Sequence, residues 1–204
     1  TTHEGRSIMG VRITAPGDAS TRARILFNGC QHAREWIAVM VPMYIADQLI
    51  AGYASDEDMT ALLSEAEIVI VPIVNPDGYE YTYAPSGDRY WRKNRRNNPG
   101  SCEGVDLNRN WDIDWAGGDS TSSDTCSDVY TGPFVFSEPE PSAMRDLILS
   151  LPNFGAHIDF HSYSQLVLEA WGWTSTPPPN ADVISTLGAA MSDAIAGVHG
   201  ENYP

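Results

Sequence analysis

The chain has 204 residues, 42% of them hydrophobic and 10% aromatic, which suits one α/β domain with a sizeable core and argues against disorder. A formal charge of −15 speaks against nucleic acid or anionic membrane as partner, because phosphate binding needs a basic surface. No apolar run reads as a membrane span and no leader peptide is recognised, so a soluble segment is expected, any export signal having been removed or left out.

In chain order, Ser7 to Thr14 alternates loosely and reads as a strand, followed by the turn Pro16-Gly17-Asp18. A second strand-like run, Arg22 to Asn28, breaks at Gly29-Cys30. Glu35 to Ile50 reads as a helix, since Ile37, Met40, Val41, Tyr44, Ile45 and Leu49 recur at three- and four-residue spacing. Pro42 lies inside that pattern and implies a kink or a later start. A short acidic helix, Asp56 to Ser64, precedes the nearly continuous β-branched run Glu67 to Val74, the pattern of a strand buried on both faces.

Asn75 to Gly132 shows little periodicity and is too long for an ordinary connection; its many aromatics favour a functional stretch over a disordered one. Ser137-Glu138-Pro139-Glu140 matches a capping box ahead of a helix reaching Leu149. Strands are expected at Phe154 to Phe160 and at Gln165 to Ala170. A last helix is capped by Asn180, runs to about Val198 and ends at Gly200. Strands alternating with helices predict an α/β fold, a mainly parallel mixed sheet with helices on both faces, in one domain spanning 1–204. Both termini read as cut.

The cations are concentrated: Arg89, Arg92, Lys93, Arg95, Arg96 and Arg109 fall in one stretch of an acidic chain. They form either a solvated basic face or a local pocket for an anionic group. Cys102 and Cys126 bracket a polar loop, and a disulfide between them would stabilise it by roughly 3 kcal/mol and indicate an oxidising compartment. Cys30 reads as a small core residue, with a thiolate ligand held in reserve because His32 is near.

The sharpest pattern is His32-Ala33-Arg34-Glu35-Trp36, with His161-Ser162-Tyr163-Ser164 far downstream. Two imidazoles and one carboxylate are what a catalytic zinc takes from a protein when water fills the fourth position. Each group follows a strand-like run, so adjacent strands would bring the three together at the carboxyl edge of the sheet.

Together with Gly29 to Ile37, Asn75 to Tyr79, Tyr90 to Arg95, Gly104 to Trp111 and His161 to Gln165, these residues resemble the zinc carboxypeptidases of the carboxypeptidase A/B type. The resemblance implies that His32, Glu35 and His161 bind one Zn(2+) per chain, with Asp106 fixing the tautomer of His32. It implies that Asn108 and Arg109 hold the free carboxylate of a peptide or protein C-terminus, for which the planar fork of Arg is suited. Arg95 would polarise the scissile carbonyl and stabilise the oxyanion. Arg34, Arg92, Ser162 and Tyr163 would contact upstream residues of the peptide, and the Ser162–Tyr163 bond would be cis.

One element of the family pattern is missing. No glutamate matches the family's general base, since Glu169 and Glu201 sit in no matching motif, so the chain is expected to be a fragment, inactive alone. The implied protein is a secreted, monomeric metallocarboxypeptidase. Two alternatives stay open: a non-catalytic zinc- or peptide-binding domain, and a related zinc amide hydrolase acting on small acylated amino acids.

Overall fold

The β-branched run forms a strand with every residue buried, β3 (Ala66–Val71), and the sheet is built around it. In the computed structural model, which describes residues 1–204 except the side chain of His199, β1 (Val11–Ile13) pairs antiparallel with β3. Strand β2 (Ala23–Gly29) pairs parallel with β3, and β4 (Phe154–Phe160) parallel with β2. The order is β1-β3-β2-β4, a mixed, mainly parallel sheet as expected. β1 is shorter than the sequence suggests.

Alternation along β3 splits the core between two faces. Ile68 and Ile70 pack with Ala46 and Leu49 of α1 (Ile37–Gly52) and Leu63 of α2 (Glu57–Glu65). Val69 and Val71 pack on the other side with Leu26, Leu107 and Met144, the last from α4 (Pro139–Ser150). Two further elements, α3 (Pro76–Tyr81) and the single helical turn Leu107–Arg109, lie in the stretch read as aperiodic. Asn75 caps α3 by accepting from the Gly78 amide at 2.9 Å, with Pro76 at the first helical position. The Cys102–Cys126 disulfide is present, with Cα atoms 5.0 Å apart.

α1 continues through Pro42 rather than starting after it. Proline has no N–H for the carbonyl four residues earlier, that of Ala38. That carbonyl faces Gly29 instead, where any Cβ would come within 2.1 Å of the Ala38 oxygen. Proline and glycine together thus let the start of α1 press against the end of β2.

The capping box is not formed. α4 (Pro139–Ser150) has Glu138, not Ser137, at its N-cap, without a side-chain cap bond. The Ser137 hydroxyl instead donates to Glu138 at 2.7 Å, because Glu138 and Glu140 turn inward, both fully buried. There Asn94 donates to Glu138 (2.7 Å) and to Glu140 (3.1 Å). Arg96 donates to Glu138 at 2.9 Å, and His3 Nε2 lies 2.8 Å from it. Asp77, also buried, accepts from Thr2, Glu4 and Arg6. Buried carboxylates therefore fasten the first residues of the chain.

The chain divides into two compact units, Thr1–Ser162 and Tyr163–Pro204. In the second, Gln165 to Ala170 is not a strand: it has no strand partner, and Leu168 is 82% exposed. Its helix α5 (Ala181–His199) ends on Gly200 in the left-handed conformation (φ 70°), as read. Asn180 sits at the N-cap without making the cap bond. The reading that no run could span a membrane is corrected: Ala181–Val198 is 18 residues with mean hydropathy 1.2, enough by length and composition alone. Small residues kept it inconspicuous, and it carries Asp182 and Asp193, which are costly in hydrocarbon.

Candidate metal centre and substrate site

The parallel register sets Gly29 of β2 opposite Phe160 of β4, so both strands leave the sheet at the same carboxyl edge. Cys30 turns the chain with a positive φ of 58°. Gln31 to Glu35 then form a tight loop, with the Ala33 amide bonded to the Arg92 carbonyl at 3.0 Å. His161 follows directly on the end of β4. Two distant segments are thereby brought to one point.

There His32 Nδ1 lies 2.8 Å from Glu35 Oε1. His161 Nδ1 lies 3.1 Å from His32 Nδ1 and 3.0 Å from Glu35 Oε2. Donors about 2.0–2.1 Å from a tetrahedral zinc stand about 3.3 Å from one another, so a cation fits among these three with little adjustment. Both rings turn Nδ1 inward and put Nε2 on a carboxylate: His32 on Asp106 at 3.2 Å, His161 on Asp159 at 2.8 Å. Paired carboxylates of this kind orient metal-bound histidines.

Burial pushes the Glu35 carboxyl upward, but hydrogen bonds with His161 and His32 outweigh it and hold it down at about 2. For His161 burial acts downward, and Asp159 and Glu35 outweigh it, raising the imidazole to about 10. Both shifts favour positive charge at this point, which a divalent cation would supply in place of a proton. Burial drives the Cys30 thiol upward, and its Sγ donates to the His32 carbonyl at 3.7 Å, which fits the core residue rather than the ligand held in reserve.

The other expected residues are dispersed. Asp106, fully buried, stands behind His32 and takes a two-pronged bond from Arg92, Nε at 3.1 Å and Nη2 at 2.8 Å. Arg92 thus braces Asp106 through one edge of its guanidinium. Asn108 donates its amide N–H to Asp106 Oδ1 at 3.0 Å. Arg109 donates Nε to the Ser120 carbonyl and Nη1 to the Asn108 carbonyl, both at 2.8 Å; its Nη2 has no hydrogen bond among the described residues. Arg95 is not brought to the histidines. It lies over the Tyr81 ring at 3.8 Å and the Trp91 ring at 4.8 Å, paired with Glu103 and, at 3.5 Å, with Glu4.

Ser162 donates its amide N–H to Glu35 Oε2 at 3.2 Å and lines an open cavity of about 470 Å³ with Arg34, Trp36, Met40, Tyr79 and Arg89. Arg34 reaches Asp128 and the Tyr90 carbonyl, each at 3.3 Å. Arg89 lies 3.8 Å over the Trp36 ring. Tyr163 belongs to the second unit and is 96% exposed. The expected cis bond at Ser162–Tyr163 is trans; the cis bond in this structure is Ala170–Trp171. A cis bond outside proline needs packing to hold it, and the Tyr163 side chain has none.

Asp159, with Asn28 and Gln31 bonded to it, also serves this point, and none of the three stands out in the sequence pattern. A signal was available for Asp159, which stands two residues before His161 near the end of an alternating strand.

Two strand ends thus bring two histidines and a glutamate, a group that could hold a metal ion, to one edge of a mixed sheet. The chain belongs to the zinc carboxypeptidase (Peptidase M14) family, which it matches over residues 1–204. It is 40% identical over 205 residues to a metallocarboxypeptidase A-like protein of Trichophyton verrucosum, covering 98% of this chain and 47% of that one. It is 38% identical over 215 residues to the inactive metallocarboxypeptidase ECM14 of Arthroderma gypseum, covering 100% of this chain and 36% of that one. The crystal structure of carboxypeptidase A from Helicoverpa armigera superposes with a TM-score of 0.88 at 35% identity, covering 100% of this chain and 49% of that one. The chain spans about half the length of such relatives or less.

Proposed function

We propose that the protein is a secreted, monomeric zinc metallocarboxypeptidase that removes the C-terminal residue from peptides and proteins. The observation that carries this is the convergence of His32, Glu35 and His161 within about one ligand spacing of each other. Zinc bound there would lower the pKa of a bound water to about 7 and polarise the scissile carbonyl.

The remaining roles belong to side chains of this chain. Asp106, braced by Arg92, keeps the His32 ring in one orientation. Arg109, with Nη2 open and Asn108 beside it, takes the terminal carboxylate of the peptide and sets its register. Arg34 and Ser162, on the open cavity, contact the residues upstream, with Tyr163 assigned to the same contact by family likeness. Arg95 polarises the carbonyl once its guanidinium leaves Glu103 and the Tyr81–Trp91 stack. The proton of the attacking water is assigned to no residue of this chain. The disulfide supports an extracellular setting, and the acidic surface supports the absence of nucleic acid and membrane partners.

A second reading, a zinc- or peptide-binding domain without catalysis, draws support from the unmatched general base and from the relative named inactive. Zinc content measured alongside hydrolysis separates the two. One zinc per chain, with release of the terminal residue from a free peptide but not from its amide, supports the peptidase. Zinc uptake without hydrolysis supports the binding domain, and no zinc uptake overturns both.

A further inference from the structure

On β4, alternation places His157 and Asp159 on one face, and His161 follows directly after Phe160, the last residue of the strand. Across the strand pair the register sets Asn28 of β2 opposite Asp159. The Asn28 amide donates to Asp159 Oδ1 at 2.6 Å. The Gln31 amide donates to Oδ2, and His161 Nε2 lies 2.8 Å from that same oxygen. Gln31 is fixed in turn, since its Oε1 accepts from Trp111 Nε1 at 3.0 Å. Asp159 is thus held at both oxygens by groups outside the metal centre, and it presents one of those oxygens to the outer nitrogen of His161.

We propose that Asp159 is the positioning residue for His161: it accepts the Nε2–H of the ring, fixes the neutral tautomer with its lone pair on Nδ1, and aims that lone pair at the metal. The inference rests on reading His32, Glu35 and His161 as the metal ligands. Each zinc histidine then has its own carboxylate, Asp106 for His32 and Asp159 for His161. A carboxylate is required here and an amide is not equivalent. Asn28, Gln31 and His161 all bring N–H donors, and only a residue with two accepting oxygens satisfies all three. An Asn at 159 would turn its own NH2 against one of them. Because His161 lies just past the end of β4 and its side chain is partly exposed, strand pairing does not fix the ring angle, and the hydrogen bond to Asp159 does.

The test uses the full-length protein and compares wild type with Asp159→Asn and Asp159→Ala. Zinc affinity is read by chelator competition, ligand geometry by the visible spectrum of the Co(II)-substituted protein, and folding by circular dichroism. Asn keeps the volume and backbone environment, so it remains informative should the Ala variant misfold. Loss of the oriented acceptor is expected to weaken zinc binding about 10- to 100-fold, the usual range for a residue behind a metal ligand, and to change the intensity of the cobalt bands while the fold is kept. Zinc affinity within about twofold of wild type in folded Asp159→Asn, far below that range, with an unaltered cobalt spectrum, overturns the assignment. A wild type that takes up neither zinc nor cobalt overturns the metal-centre reading itself, a failure distinct from that of Asp159.

Discussion

The Nδ1 atoms of His32 and His161 stand 3.1 Å apart although 129 residues separate them in the chain. Two like-facing lone-pair nitrogens do not attract each other, so the pair makes sense only with a cation or a proton between them and Glu35. Replacing His161 with Ala removes one of three donors. Zinc-site affinities of about 10–16 kcal/mol shared over four ligands give about 3 kcal/mol for one, or more than a hundredfold in affinity. His161→Ala should therefore retain no zinc after dialysis against a weak chelator. Full occupancy, measured by atomic absorption, would remove His161 from the ligand set.

Arg109 is anchored through Nε and Nη1 to backbone carbonyls, which leaves one edge of the fork for a substrate. If that edge holds the terminal carboxylate, Arg109→Ala leaves a buried anion unpaired at a cost of about 2–5 kcal/mol. Cleavage of a free-terminus peptide by the full-length enzyme should fall at least thirtyfold in kcat/KM. Wild-type enzyme that cleaves an amidated peptide as fast as the free acid contradicts the clamp.

Most of the fold was legible from periodicity, and the failures have identifiable physical causes. β3 was visible because burial on both faces leaves a strong apolar pattern. Gln165 to Ala170 carries the apolar run Leu166, Val167 and Leu168, yet a strand exists only where a partner strand meets it. The capping box at Ser137 failed because the buried demands of Asn94, Arg96 and His3 drew Glu138 and Glu140 inward, a contest between distant residues that no local pattern records. The ligands were legible because their chemistry is rare; Asp159 was missed because its role depends on the cross-strand register with Asn28. Arg92 and Arg95 were assigned by likeness, and their positions depend on which carboxylate each arginine meets first.

The disulfide and the buried Cys30 make a simple count possible. Burial raises the Cys30 thiol, which disfavours the reactive thiolate. Native protein should show almost no accessible thiol, and denatured, unreduced protein one per chain. Three under those conditions would refute the disulfide. Replacing Cys102 and Cys126 together with Ser should cost about 3 kcal/mol for a closed loop of this size, seen as a lower urea midpoint.

The buried group under the N-terminal segment predicts a pH dependence with a definite sign. Burial, helped by the charge of Glu138, raises the Glu140 carboxyl to about 7, against the pull of Asn94 and His3. Its hydrogen bond with Glu138, helped by Glu140 and opposed by burial and Arg96, raises His3 above its usual value. A folded-state pKa above the unfolded one gives stability that is complete below the unfolded value and lost as pH rises through the folded one. For Glu140 that loss runs from about 4.5 to about 7; for His3 it begins at 6.5. Glu138 acts oppositely: burial works against it, but bonds from His3, Asn94 and Ser137 hold its carboxyl low, so its contribution fades only in acid. Stability from this cluster should therefore be greatest near pH 5 and fall toward pH 8, by an amount on the order of a few kcal/mol before the partners' opposing effects are counted. Glu140→Gln keeps the shape and cannot ionise, so it should narrow the Tm difference between pH 5 and pH 8 relative to wild type, a comparison that cancels the repulsion of the other surface carboxylates. Equal Tm differences in the two proteins would show that Glu140 does not titrate across that interval.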